Sequence, residues 1–269
     1  MANRRTRGTI PRVPTANPSL DDLAGEVHVY LSWMDEATAP ALLARYREIL
    51  SAPERERQAR FHFERHRHLY LVSHALVRTS LAHYVDAKAS ELTFVEGEFG
   101  RPEIAPAHDF PKLRFNLSHT EGLAACVVCL ESDCGVDVEQ MNRVKDLDGV
   151  ARRVYTEPEL ADLRSLKGDL REGRFTDYWT LKEAYMKARG KGFQLPPHTF
   201  TVQLSRETPP TPQFSFAPGF DDDANDWQLA LRSLHREIDG ATANYRLAVA
   251  VRSGAFASRE VVVRTVVPG

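Results

Sequence analysis

Cysteine is scarce: the 269 residues hold only Cys126, Cys129 and Cys134, and no second Cys pair or neighbouring His cluster completes a zinc site. So small and odd a set is expected to be reduced. The Cys126-x-x-Cys129 spacing falls inside LAACVVCLE, a run that reads as a buried strand, so no chemistry is assigned to it. Also missing is any run approaching the roughly 20 apolar residues needed to cross a bilayer. The first residues lack the apolar core of a secretory signal, and these absences together predict a cytoplasmic chain with no membrane partner. Charge of one sign is missing too, because 35 Lys and Arg against 37 Asp and Glu leave a net charge of -2. That balance argues against nucleic acid as a partner, and any anion binding must come from a local basic cluster.

What is present is enough apolar residue, 42%, to bury a substantial core in one large domain or two joined lobes. Residues 1–25 combine Arg, Pro, Asn and Thr with little apolar periodicity and read as a disordered leader. From there VHVYLSW reads as a strand, followed by helical ATAPALLARYREIL, ERERQARFHF and the long HRHLYLVSHALVRTSLAHYV, then by extended LTFVEGEFG, KLRFNLSH and GLAACVVCL. The second half restarts at CGVDVEQ, runs through VARRVYTEPELADLRSL and helical FTDYWTLKEAYMKARGKG, and ends in FTVQLS, WQLALRSL and YRLAVAVRS as strands. The same order of elements thus occurs twice, which predicts an α+β fold of two similar lobes, 26–133 and 134–269, born of an internal duplication. A protein that is already its own pseudo-dimer is expected to be a monomer. Between Ser205 and Asp226 four prolines and the tract Asp221, Asp222, Asp223 predict an exposed loop.

Chemistry concentrates in a few segments. In GVDVEQ, strand alternation puts Asp137 and Glu139 on one face with Cα atoms roughly 6.5 to 7 Å apart. Two such carboxylates repel unless a cation neutralises them, and hard oxygen ligands suit Mg²⁺; alone, however, an Asp-x-Glu is more often the wet face of an amphipathic strand. Trp179, Glu183 and Lys187 recur every four residues along one helix face, so Glu183 can close the metal site or act as a base, with Lys187 a turn away to neutralise phosphate. An ordinary solvated Glu/Lys pair has the same spacing, but Tyr178, Trp179 and Tyr185 around Lys182 and Glu183 indicate a packed helix. RFNLSHTEG sets Ser118 and His119 at a strand end, where adjacent side chains point apart and no G-x-S-x-G elbow supports a hydrolase. The stretch Arg55 to His68, with Arg57, Arg60, Arg65 and Arg67, is a candidate phosphate clamp or simply a solvated helix face.

Together GEFGRP (97–102), FNLSHT (115–120), GVDVEQ (135–140) and WTLKEAYMKARGKGF (179–193) resemble the signature segments of the Sfp-type 4′-phosphopantetheinyl transferases, and the likeness spans roughly residues 27 to 252. The resemblance implies a pseudo-twofold pair of α+β lobes with coenzyme A in the cleft between them. It also implies transfer of the phosphopantetheine arm to a serine of an acyl, peptidyl or aryl carrier protein, with release of 3′,5′-ADP. Under it Asp137, Glu139 and Glu183 match the Mg²⁺ ligands, and Glu183 also matches the base that takes the serine proton, directly or through a metal-bound water. Lys187 matches the lysine on the transferred phosphate, and Lys182 is a second phosphate candidate. Ser118 and His119 match contacts to the coenzyme's phosphates, Arg101 and Pro102 a segment against its adenine and ribose phosphate, and Arg57, or Arg67, the 3′-phosphate contact. Which carrier is served, in fatty-acid, polyketide or nonribosomal peptide synthesis, no motif records. A metal-dependent nuclease or phosphohydrolase is the alternative, opposed by the charge balance, and a carrier-binding module without catalysis is opposed by the complete acidic set.

Overall fold

A computed structural model describes residues 18–97, 99–106, 110–191, 194–238, 240–253 and 258–269. Most of the expected leader, 1–17, lies outside the described residues. Its last part is not a loose tail, because Asp21–Ala24 forms a 3-10 turn that buries Leu23 completely.

The first half runs β1 (Glu26–Trp33), α1 (Pro40–Ile49), α2 (Ala52–Ala59), α3 (Glu64–Ala82), β2 (Phe94–Glu96), β3 (Pro102–Ile104), β4 (Leu113–Thr120) and β5 (Leu123–Leu130). The second runs β6 (Cys134–Gln140), α4 (Leu147–Val154), α5 (Glu157–Ser165), α6 (Gly168–Arg189), β7 (Phe200–Leu204), β8 (Pro212–Phe216), β9 (Trp227–Ile238), β10 (Ala241–Arg252) and β11 (Glu260–Thr265). The duplication predicted from element order is visible in the pairing. In the first half β1 pairs antiparallel with β5, and β5 with β4; in the second β6 pairs with β10, and β10 with β9. Two-stranded β2–β3 likewise answers β7–β8.

Local sequence explains several of these elements. Ser51 and Glu54 form a capping box that starts α2, and Thr156 and Glu159 form another that starts α5, each with a proline in the first turn. LAACVVCL is apolar throughout because β5 is central, flanked by β1 and β4 and covered on both faces. Its Cys126 and Cys129, with Cys134 of β6, are free and buried, as expected. Helix α6 ends where Gly190 turns left-handed at φ 65°, a conformation glycine adopts without a Cβ penalty.

Two features depart from the sequence reading. Strand β11 lies beyond the likeness to a family and adds a parallel strand to β1, Glu260 opposite Glu26, so that among the described residues one sheet has four strands and the other three. The proline-rich stretch 205–226 is not all exposed loop: it contains β8, and the Asp222 side chain within it is 1% exposed. Among the described residues no helix is long and apolar enough to cross a membrane.

Candidate active site

The halves meet where β4 lies beside β6, and side chains of one strand hydrogen-bond to the backbone of the other. Along β4 the polar side chains alternate, Asn116, Ser118 and Thr120, and each accepts a backbone N–H of β6: Val136 at 3.1 Å, Val138 at 3.3 Å and Gln140 at 3.4 Å. This period-two ladder fixes register between the lobes and brings Ser118 against Asp137. Its signal, N-x-S-x-T, is readable in FNLSHT, although the sequence alone assigns Asn116 and Thr120 no role of their own. Over the face of β6 that carries Asp137, α6 presses against Gly135, where an added Cβ would stand 2.1 Å from the Ala184 carbonyl and 2.5 Å from the Ala188 nitrogen. Only glycine permits that approach, which sets Lys187 over Asp137.

The Ser118 hydroxyl donates to Asp137 Oδ1 at 2.8 Å, and Lys187 Nζ donates to the same oxygen at 2.6 Å and to Ser118 Oγ at 2.9 Å. Asp137 is 3% exposed, and its second oxygen, Oδ2, is buried with no hydrogen-bond partner among the described residues. Glu139, two residues on, receives the Trp179 indole N–H at 3.2 Å. Burial, then the Asp137 charge, push its carboxyl up to about 7. Glu183 is raised as well, first by burial and then by Asp137, with Lys187 opposing. The three acids therefore share one electrostatic neighbourhood and repel one another.

They are not gathered into a ligand cluster. Among the described residues no three His, Cys, Asp or Glu side chains stand close enough to hold one metal ion, and Lys187 supplies the positive charge at Asp137. The donor set nonetheless fits a hard cation, since an orphaned buried carboxylate oxygen and two carboxyls held above their ordinary values all gain from one.

The other predicted residues separate into those that reach the cleft and those that do not. His119, next to buried Ser118, points to solvent, as alternation requires. Partial desolvation, then the Lys187 charge, hold its imidazole below the ordinary histidine value, with His74 of α3 adding to the effect from the first lobe. Arg57 is exposed on α2. Arg67 is instead occupied at the α2–α3 turn, donating to the carbonyls of Phe61 at 2.8 Å and His62 at 3.1 Å and pairing with Glu64. Arg101 also faces protein: it donates to the Ala188 carbonyl at 2.8 Å and to the Cys134 carbonyl at 3.1 Å, tying the segment with Pro102 to the end of α6. Lys182 is a correction. It is 2% exposed, pairs with Glu159 at 2.9 Å and donates to the carbonyls of Pro197 and Phe200, far round the helix from Lys187. The signal against it is the apolar face it shares with Tyr178 and Tyr185. Glu98 of GEFGRP and Gly192 and Phe193 of the last motif lie outside the described residues.

Two cavities border this site. One of about 840 Å³ lies between the start of α3 and the β4–β5 turn, lined by Arg65, His66, Leu69, Thr120 and Gly122 among others. The second, about 210 Å³, is walled by Glu139, Leu147, Val150, Phe175 and Trp179, and Arg143 borders both.

The pattern of the 4′-phosphopantetheinyl transferase superfamily matches residues 133–250, and that of the 4′-phosphopantetheinyl transferase N-terminal family matches 36–131. The chain is 30% identical over 216 residues to a 4′-phosphopantetheinyl transferase of Bacillus subtilis, covering 78% of this chain and 93% of that one. The chain belongs to the Sfp-type 4′-phosphopantetheinyl transferases. HetI, the 4′-phosphopantetheinyl transferase of Nostoc sp. strain PCC 7120, is 33% identical over 175 residues, with 65% of this chain and 73% of HetI covered. Sfp of Bacillus subtilis strain 168 is 28% identical over 179 residues, covering 66% and 77%. The two matched segments of this phosphopantetheinyl transferase divide at residues 131 to 133, where the element order begins to repeat.

Proposed function

We propose that the chain moves the 4′-phosphopantetheine group of coenzyme A onto a serine hydroxyl of an apo acyl, peptidyl or aryl carrier protein. The serine oxygen forms the new bond to phosphorus, the diphosphate P–O bond breaks, and 3′,5′-ADP leaves. The observation that carries this reading is the convergence of Ser118, Asp137 and Lys187, with Glu139 and Glu183, where β4, β6 and α6 meet between the lobes.

Each residue has work suited to its surroundings. Lys187 lies where it can pass from Asp137 to the transferred phosphoryl group and stabilise the charge that spreads over its oxygens. Glu183, held above the usual carboxylate range, is the better proton acceptor for that reason and takes the serine proton. Ser118 and His119 receive the coenzyme's phosphates, with exposed Arg57 at the 3′-phosphate. Asp137, Glu139 and Glu183 would hold Mg²⁺, whose charge neutralises the diphosphate when bound. Both lobes come from one chain, which supports a monomer.

Purified protein with Mg²⁺ and coenzyme A is expected to raise the mass of an apo carrier by one phosphopantetheine unit. Failure across acyl, peptidyl and aryl carriers alike would overturn the reading.

A further inference from the structure

The acidic tract of the long C-terminal connection contains one carboxylate that behaves unlike its neighbours. The Asp221 side chain is 90% exposed, whereas that of Asp222 is 1% exposed. Asp222 Oδ2 accepts hydrogen bonds from the Tyr185 hydroxyl at 2.7 Å, Arg189 Nη1 at 2.5 Å and the Trp227 indole N–H at 2.8 Å. Its Oδ1 accepts from Arg252 at 3.4 Å and from the Asp223 backbone at 3.1 Å. A buried carboxylate with this many donors is fully satisfied, so the burial is stable and the geometry around it stiff.

Two of those donors belong to the last turn and a half of α6, and they flank Lys187 in sequence. Tyr185 and Arg189 are four residues apart on the same helix face, and they are tied to each other as well, Arg189 Nη1 to the Tyr185 hydroxyl at 3.0 Å. Lys187, midway between them, projects to the opposite side, toward Asp137 and Ser118. On that side Arg101 holds the Ala188 carbonyl from the first lobe. The turn bearing Lys187 is thus gripped from two directions, by Arg101 and by Asp222. Helix ends fray unless something outside the helix satisfies them, and this end carries a residue whose placement matters for phosphoryl transfer.

We infer that Asp222 is a positioning residue for the transfer reaction: by holding Tyr185 and Arg189 it fixes the final turn of α6 and so the aim of Lys187. It touches neither the coenzyme cleft nor the acids, and it acts only through the helix. This rests on the role proposed for Lys187 above.

The test replaces Asp222→Asn, which keeps the size and one acceptor but removes the nearer and buried of the two charges that Arg189 pairs with, the other being exposed Asp221 at 3.5 Å, and separately Tyr185→Phe, which removes a single donor. Steady-state transfer to an apo carrier is measured with coenzyme A varied, beside the melting temperature and amide hydrogen exchange over residues 183–190. Misplacement of a reacting group by about 1 Å costs on the order of 10²-fold, so a partly loosened turn is expected to lower kcat about tenfold. KM for coenzyme A should stay within about twofold, because the effect falls on the transition state. Exchange should quicken in 183–190 ahead of the rest of the chain. Tyr185→Phe should move kcat in the same direction by less. Unchanged kcat in both variants, or a rise in KM with kcat intact, overturns the inference. So does a fall in kcat for Asp222→Asn that only tracks a lost folded fraction while Tyr185→Phe turns over normally. An inactive wild type would instead count against the proposed function, so the two failures are distinguishable.

Discussion

Lys182 and Lys187 sit five residues apart on one helix, about 140° around its axis, and each meets a buried carboxylate at short distance. Their surroundings nevertheless give them different work. Lys182 is 2% exposed and surrounded by acceptors, with Glu159 and two backbone carbonyls, while Glu159 in turn caps α5 and accepts the Val202 N–H. Burial, partly opposed by Glu159, brings the Lys182 ammonium down to about 8. Every group in that cluster has a partner, so it has nothing to offer a ligand. The pair at Lys187 is incomplete: its side chain is 28% exposed, and Asp137 keeps an oxygen that none of the described residues satisfies. A complete buried ion pair holds a fold together, whereas an incomplete one at a cleft is where added charge is welcome.

The largest expected effect breaks the comparison on the catalytic side. General-base catalysis contributes on the order of 10²- to 10⁴-fold, and Glu183→Gln should lose that much of kcat. Its melting temperature should hold or rise, because removing one of three mutually repelling acids relieves strain. Turnover near that of the unaltered protein would refute the role of Glu183.

Lys182→Met is expected to do the reverse. Leaving Glu159 buried without its cation costs about 3–5 kcal/mol of stability, read as a lower denaturant midpoint. Whatever fraction remains folded should transfer at a nearly normal rate per folded molecule. A stable but inactive Lys182→Met protein would restore Lys182 to the phosphate site and erase the distinction between the two lysines.

How much of this is legible in the sequence follows from how local each signal is. The pairing of Asp137 with Glu139 rests on strand alternation, and the shared face of Trp179, Glu183 and Lys187 rests on helical period, so both can be read within a few residues. The same wheel places Lys182 with Tyr178 and Tyr185, on the face that packs against Phe200, although a lysine there reads first as a phosphate ligand. The repeat of elements is readable because each half carries its own patterns. Strand β11 is not, because its partner β1 lies more than 200 residues earlier and no local period announces a parallel pairing. Arg101 and Arg67 look free because sequence names the donor and says nothing of the carbonyls waiting for it. Asp222 is hidden for the same reason, inside a tract whose composition is that of a solvated loop.

The smallest of the three effects asks whether the distinction holds in the first lobe, where α2, which carries Arg57, is held to α3 by a complete cluster. Glu54 caps α2, accepts from His74 and from the buried guanidinium of Arg78, and is 15% exposed. Burial alone would raise its carboxyl, but hydrogen bonds from His74, Arg78 and the Ser51 backbone bring it from the ordinary 4.5 down to about 2. A lowered carboxyl gives stability that is complete above the ordinary value and is lost as pH falls from there through the folded value. The window is therefore about pH 4.5 to 2, and the loss is about 3 kcal/mol at 1.36 kcal/mol for each tenfold change in proton affinity. Other carboxylates titrate in the same window, so the measurement is a difference: urea midpoints across pH 6 to 2.5 for the unaltered chain and for Glu54→Gln. The variant should be weaker at neutral pH, with Arg78 left buried and unpaired, but the gap should close as pH falls. A gap that stays constant would mean that Glu54 keeps its proton affinity on folding, and that α2 is held by packing, independently of this ion pair.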